Sequence, residues 1–198
     1  MASYVIYDIE FTAWQGSRER NWSEPWEHRE IIQIAAASVE ISDEGCFAHS
    51  YFDTYIKPLK NPTLSEYVVK LTGITQDLID REGVNFNTAL SQFAEFCGNR
   101  LEGGTLSYGP DDGVFEENAR IHGESLPLSL TSHTNLRPIF YTVDEFDFHV
   151  CSGDLHKLVG IPLRGDHHNA VHDVQSLVVT LDFLLKEKLI RSGQLVGS

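Results

Sequence analysis

The chain has 198 residues, of which 41% are hydrophobic and 22% charged, the make-up of one ordinary globular domain with a sizeable core. Its net charge is −14, with the fifteen Lys and Arg scattered. That argues against a protein that grips long duplex nucleic acid through a basic stripe, but not against an enzyme acting on short single-stranded ends. No run approaches the roughly 18 apolar residues of a membrane span, and Met1-Ala2-Ser3 leads into a strand without a secretory leader. Three widely spaced cysteines (Cys46, Cys97, Cys151) suit a reducing cytosol, so a cytoplasmic location and no membrane partner are expected.

In chain order, Tyr4–Glu10 reads as a strand buried on both sides. Residues 12–30 are polar, hold all three tryptophans and contain the breakers Gly16 and Pro25, so they form a long ordered loop. Ile31–Ile41 is a strand, and Phe47–Ile56 alternates as its antiparallel partner until Pro58 and Pro62 end the hairpin. Leu64–Leu71 predicts a short helix terminated by Gly73 as a C-cap, and Thr75–Asp80 a further turn. Asn87 is expected to cap a helix over Ala89–Arg100, with Ala89, Leu90, Phe93 and Cys97 (or Phe96) inward. Thr105–Tyr108 reads as a strand followed by a helix through Val114, Ala119 and Ile121. Residues 123–133 read as loop, and Asn135–Tyr141 and Leu155–Val159 as short helices. The last helix starts near Asn169, with Ala170, Val174, Leu177, Leu181 and Leu184 at helical spacing.

The chemistry collects at three points. Asp8 and Glu10 end the apolar run Tyr4–Tyr7, and a strand sends residues two apart to the same face. Ser107-Tyr108-Gly109-Pro110-Asp111-Asp112 supplies a further acid, with Asp111 and Asp112 in competition and a plain turn as the simpler reading. His168-Asn169-Ala170-Val171-His172-Asp173 closes the set: Asp173 lies one turn into the last helix and His168 just before it. Four carboxylates meeting at one point cannot all stay ionised without a cation between them, and oxygen-only ligands select Mg²⁺ or Mn²⁺. Trp14, Trp22 and Trp26 with Arg18 and Arg20 suit a stacking platform for bases; anchoring of the loop, or a contact with a second subunit in a homodimer, is the plainer alternative.

The Asp-x-Glu pair, the middle acid and His-x-Ala-x-x-Asp, in that order, resemble the DEDDh 3′-to-5′ exonucleases over nearly the whole chain. His28-Arg29-Glu30-Ile31-Ile32-Gln33-Ile34, Tyr55-Ile56-Lys57-Pro58 and Leu71-Thr72-Gly73-Ile74-Thr75 resemble more narrowly the enhanced-RNAi, histone-mRNA-exonuclease-like branch, which includes bacterial proteins of the KapD sporulation-inhibitor type. The resemblance implies an α/β, ribonuclease-H-like mixed sheet flanked by helices, a single domain over residues 1–190 with a tail at 191–198. It also implies two Mg²⁺ (or Mn²⁺) ions per site with substrate, held by Asp8, Glu10, Asp112 and Asp173. Asp112 is preferred because the family's Ser-x-Gly-x-x-Asp spacing lands there and because it would begin the next helix. His168 and Glu10 would be the catalytic residues, His168 as the general base with His167 and His172 as alternatives; His172 stands where the family often has an acid. Glu10, Phe11, Leu71, Ile74 and His168 would touch the terminal nucleotide, with packing of the loop as the alternative for Leu71 and Ile74. The expected activity is release of nucleoside 5′-monophosphates from 3′ ends of RNA, favoured over short single-stranded DNA. A regulatory protein-binding module on the same fold is the alternative.

Overall fold

Strand β1 (Ala2–Phe11) sets the frame, because its alternate residues feed two different cores. A computed structural model describes residues 2–98, 103–127, 130, 132–144, 146, 150–165 and 168–195. On one side of β1, Tyr4 and Ile6 pack with Val174, Leu177, Leu181 and Leu184 of the long helix near the C-terminus. On the other, Val5, Tyr7 and Ile9 pack with Phe86, Phe93 and Phe115. Asp8 and Glu10 continue the even-numbered series, so the strand itself aims them at the long helix.

The remaining elements are β2 (Ile31–Ser42), β3 (Gly45–Tyr55), α1 (Glu66–Thr72), α2 (Gln76–Glu82), α3 (Phe86–Cys97), β4 (Thr105–Ser107), α4 (Asp111–His122), β5 (His133–Asn135), α5 (Arg137–Phe140), α6 (Leu155–Leu158) and α7 (Ala170–Lys186). A 3₁₀ turn, Ser152–Asp154, precedes α6. The five strands form one mixed sheet in the order β3-β2-β1-β4-β5; β1–β2 and β2–β3 are antiparallel, β1–β4 and β4–β5 parallel. This is the α/β arrangement expected from the sequence, with helices on both faces.

Three local expectations are corrected. The cap of α3 is Asn85, whose Oδ1 accepts from Thr88 N at 2.9 Å; Asn87 lies inside the helix and its amide bonds Glu124. The same helix stops at Cys97, where Gly98 takes φ 69°; Arg100, its expected end, lies outside the described residues. The segment read as loop and then helix around Asn135 begins instead with β5, a fifth strand, and the helix starts only at Arg137. The Gly73 cap is as expected: φ is 73° and its N–H donates to the Val69 carbonyl.

Candidate active site

Glu10 faces Gln33 across the β1–β2 ladder, and the ladder becomes irregular between Glu10 and Phe11, where the strand leaves the sheet. Helix α7 brings the third acid. Its N-cap, Asn169, accepts from the amides of Val171 and His172, and its first amide, Ala170 N, donates to Gln33 Oε1 at 3.3 Å. Gln33 thereby ties the start of α7 to β2 beside Glu10, while Asp173 sits in the first turn, where the helix dipole favours a carboxylate. Asp8, Glu10 and Asp173 are all buried, and one carboxylate oxygen from each lies within 4.8 Å of the other two.

The three acids strain against one another. Burial first, then the charges of Asp173, Asp111 and Glu10, push the Asp8 carboxyl well above the usual range, and a Ser152 hydrogen bond partly offsets this. Glu10 is likewise raised well above its ordinary value by burial, then by Asp173 and Asp111. Ser152 Oγ also donates to Asp173 Oδ2 at 2.8 Å. Ser152 is in turn located by the 3₁₀ turn, which His172 holds through its Nε2 and the Gly153 carbonyl, 3.0 Å apart. The histidine that departs from the family pattern is therefore a buried brace behind the acids.

Of the two neighbouring acids at the start of α4, Asp111 is the one whose charge bears on Asp8 and Glu10. Burial pushes its carboxyl up to about 6, against the opposing pull of a Ser107 hydrogen bond and the Arg137 cation. Asp112 is exposed and instead bears on His133 and Tyr7, with which it lines a small cleft. His168 is half-buried and directly precedes the α7 cap, with a left-handed backbone at φ 62°, a conformation rarely adopted without glycine. His167 lies outside the described residues. Phe11 is half-buried and packs against Trp22, Leu71 is half-buried, and Ile74 is fully packed among Ile32, Leu64, Val68 and Ile79.

The sequence reading passed over Ser152 and Gln33. A lone Ser ahead of a short helix, or a Gln within an apolar strand, carries no signal until the turn and the cross-strand register are known.

A set of buried oxygen donors that repel one another is the chemistry of a divalent-cation site: the cation removes the repulsion, and hard oxygen ligands suit it. Known proteins resemble this chain over most of its length. The Exonuclease (RNase_T) family profile matches residues 5–180. Mouse "ERI1 exoribonuclease 2" is 27% identical over 217 residues, covering 98% of this chain and 29% of that protein. The fly "3′-5′ exonuclease Snipper" is 35% identical over 106 residues, 53% of this chain and 35% of that protein. The chain thus spans about a third of the length of these relatives. Among solved structures, the nuclease domain of 3′hExo, described as a DEDDh family member bound to rAMP, superposes with a TM-score of 0.79 at 20% identity, over 94% of this chain and 92% of that one. The chain belongs to the Exonuclease family. Within it, the curated relatives include ERI1-type exoribonucleases, and the solved structures of like fold include a histone-mRNA 3′-exonuclease and the DEDDh family member above.

Proposed function

We propose that this chain is a divalent-metal-dependent 3′-to-5′ exonuclease that hydrolyses the last phosphodiester of single-stranded nucleic acid, RNA in preference to DNA, and releases nucleoside 5′-monophosphates. The observation that carries this reading is the buried cluster of Asp8, Glu10 and Asp173 with Asp111 in its field. The RNA preference rests on the relatives named as exoribonucleases and on the rAMP complex of the structural neighbour.

In this reading Asp8, Glu10 and Asp173 hold Mg²⁺ or Mn²⁺, two ions when substrate is present. Bound there, the cations supply a water of lowered pKa and charge neutralisation at the scissile phosphate. Ser152 and Gln33 keep Asp173 oriented. His168 takes the proton of the attacking water, and the 3′ oxygen of the shortened strand leaves. Phe11 and Leu71 offer apolar surface to the terminal nucleotide, whereas Ile74 is packed in the core.

For the remaining acid, the family spacing favours Asp112 and the electrostatics of the site favour Asp111. Asp111→Asn is expected to lower turnover by roughly 10²-fold or more, as loss of a metal-positioning carboxylate does, and Asp112→Asn by far less; steady-state rates of the two variants decide between them. The activity itself is tested with end-labelled RNA and DNA oligonucleotides blocked at one end or the other. Mononucleotide release with Mg²⁺ that is stopped by a 3′ block and by chelator is expected; cleavage insensitive to a 3′ block would refute the polarity.

A further inference from the structure

Strand β5, His133-Thr134-Asn135, holds no apolar residue, and two of its three side chains bond β4 or the turn that leads from β4 to Asp111. His133 meets Thr105 Oγ1 through Nδ1 at 3.2 Å and Ser107 Oγ through Nε2 at 3.3 Å. Asn135 does more. Its Oδ1 accepts from Gly109 N at 3.0 Å and from Arg137 N at 2.9 Å, so one amide oxygen fastens the turn ahead of α4 to the start of α5. Gly109 has φ 146°, a backbone that a side chain would strain, so the turn takes a shape open to glycine and is fixed from outside by Asn135.

The residue that Asn135 seats is a cation beside the acids. The Arg137 guanidinium lies over the Tyr108 ring, 4.8 Å from its centroid, and Nη2 donates to the Tyr108 carbonyl at 3.4 Å. Stacked, hydrogen-bonded and half-buried, it is held in one place. Asp111 borders that place: a Cβ added to Gly109 would stand 3.7 Å from Arg137 Nη2 and 3.8 Å from Asp111 Oδ1, so cation and carboxylate flank the same glycine. Among the described residues Arg137 closes on no carboxylate at ion-pair distance. The charges that bear on Asp8 and Glu10 are all carboxylates, Asp111 among them, whereas at Asp111 the Arg137 cation opposes them. A fourth carboxylate facing three others is pushed toward water unless something behind it holds it.

We propose that Arg137, seated by Asn135, is a positioning residue for Asp111: it keeps that carboxylate turned toward the cations that Asp8, Glu10 and Asp173 hold. The proposal rests on the exonuclease reading above, with Asp111 as its fourth acid, and adds what orients that acid. It also gives the polar strand β5 a purpose, since Asn135 ties the Asp111 turn and the Arg137 cation to each other.

The test is titration calorimetry with Mn²⁺, free of substrate, on the wild type, Arg137→Met, Arg137→Lys, Asp111→Asn and the double variant of Arg137→Met with Asp111→Asn. Arg137→Met is expected to weaken Mn²⁺ binding roughly 10- to 100-fold, the usual worth of a partner that orients a ligating group. Arg137→Lys, which keeps the charge, should recover part of the loss, and the double variant should bind no worse than Asp111→Asn alone. The sign is diagnostic, because removing a cation that merely stood near the site would relieve repulsion and tighten Mn²⁺ binding. Unchanged or tighter binding in Arg137→Met would therefore overturn the proposal. So would additive losses in the double variant, or Asp111→Asn with wild-type affinity. Arg137→Gln, which keeps a donor for the Tyr108 carbonyl, carries the same comparison if Arg137→Met folds poorly. A wild type that binds Mn²⁺ with this dependence on Arg137 and Asp111, yet cleaves no oligonucleotide with Mg²⁺, would overturn the exonuclease reading and leave the positioning role standing.

Discussion

At the scale of single residues, the proposed reaction divides the site into groups that bind and one, His168, that would move a proton. Asp8, Glu10 and Asp173 are legible in the sequence because two rules suffice: strand alternation puts the first pair on one face, and helical phase puts Asp173 beside the stripe that packs on that face. Asp111 against Asp112 is not decided by spacing, because one step along the first turn of α4 rotates a side chain by about 100°. His168 directly precedes the α7 cap and is not among the three acids that form the cation cluster, so its loss should leave cation binding nearly intact. His168→Ala is expected to slow the chemical step by roughly 10²–10⁴-fold. The wild-type rate should fall as pH drops below the histidine's pKa, and the variant should lose that dependence. Single-turnover cleavage against pH for both proteins checks this; a variant with the native rate and profile would assign the proton to another group.

Glu30 shows how elements, not residues alone, deliver the site. The carboxylate is buried at the junction of the 12–30 loop and β2, and accepts from the amides of Leu59 (2.6 Å), Lys60 (2.9 and 3.0 Å) and Asn61 (2.7 Å). One side chain therefore replaces the hydrogen bonds of a whole turn between β3 and α1. Glu30→Ala should destabilise the protein by about 2–4 kcal/mol, because it strands several amide donors at once; a denaturant midpoint unchanged from wild type would contradict this. The strand β5 illustrates the converse limit. His133-Thr134-Asn135 has no apolar alternation, and it is a strand only because its backbone pairs with β4, whose own place is set by β1. Sequence periodicity carries long amphipathic elements such as α7 and does not carry a three-residue polar strand. The Asn85 cap was hidden for a related reason: two asparagines bracket Phe86, and only the burial of Phe86 against the sheet decides which begins the helix.

Across the whole molecule, the acids write a pH dependence into stability. Asp8 and Glu10 are raised well above their usual values and Asp111 to about 6, so between about pH 4 and these folded-state values the folded protein holds more protons than the unfolded chain. Their contribution is fully present below the unfolded values and is lost as pH rises through the folded ones. The lowered carboxyls of Glu27 and Asp43 act oppositely but below the ordinary carboxylate range, and the lowered imidazoles of His122 and His133 oppose the trend only up to the ordinary histidine range, against three raised acids. The melting temperature of metal-free protein should therefore decline from about pH 5 to pH 8, and Asp8→Asn should flatten the decline, as scanning fluorimetry across that range can read. A wild-type curve that rises over the range and is unaltered in Asp8→Asn would contradict the electrostatics of the cluster.

The central claim is that these acids exist to hold a divalent cation, and titration calorimetry with Mn²⁺ near pH 6.5 tests it without reference to any substrate. Wild-type protein should bind Mn²⁺ and release protons as it does so, seen as a heat that varies with the ionisation enthalpy of the buffer, because raised carboxyls must deprotonate to ligate. Asp173→Asn should lose most of that affinity. Absence of binding in the wild type, or undiminished binding with the same proton release in Asp173→Asn, would contradict the account.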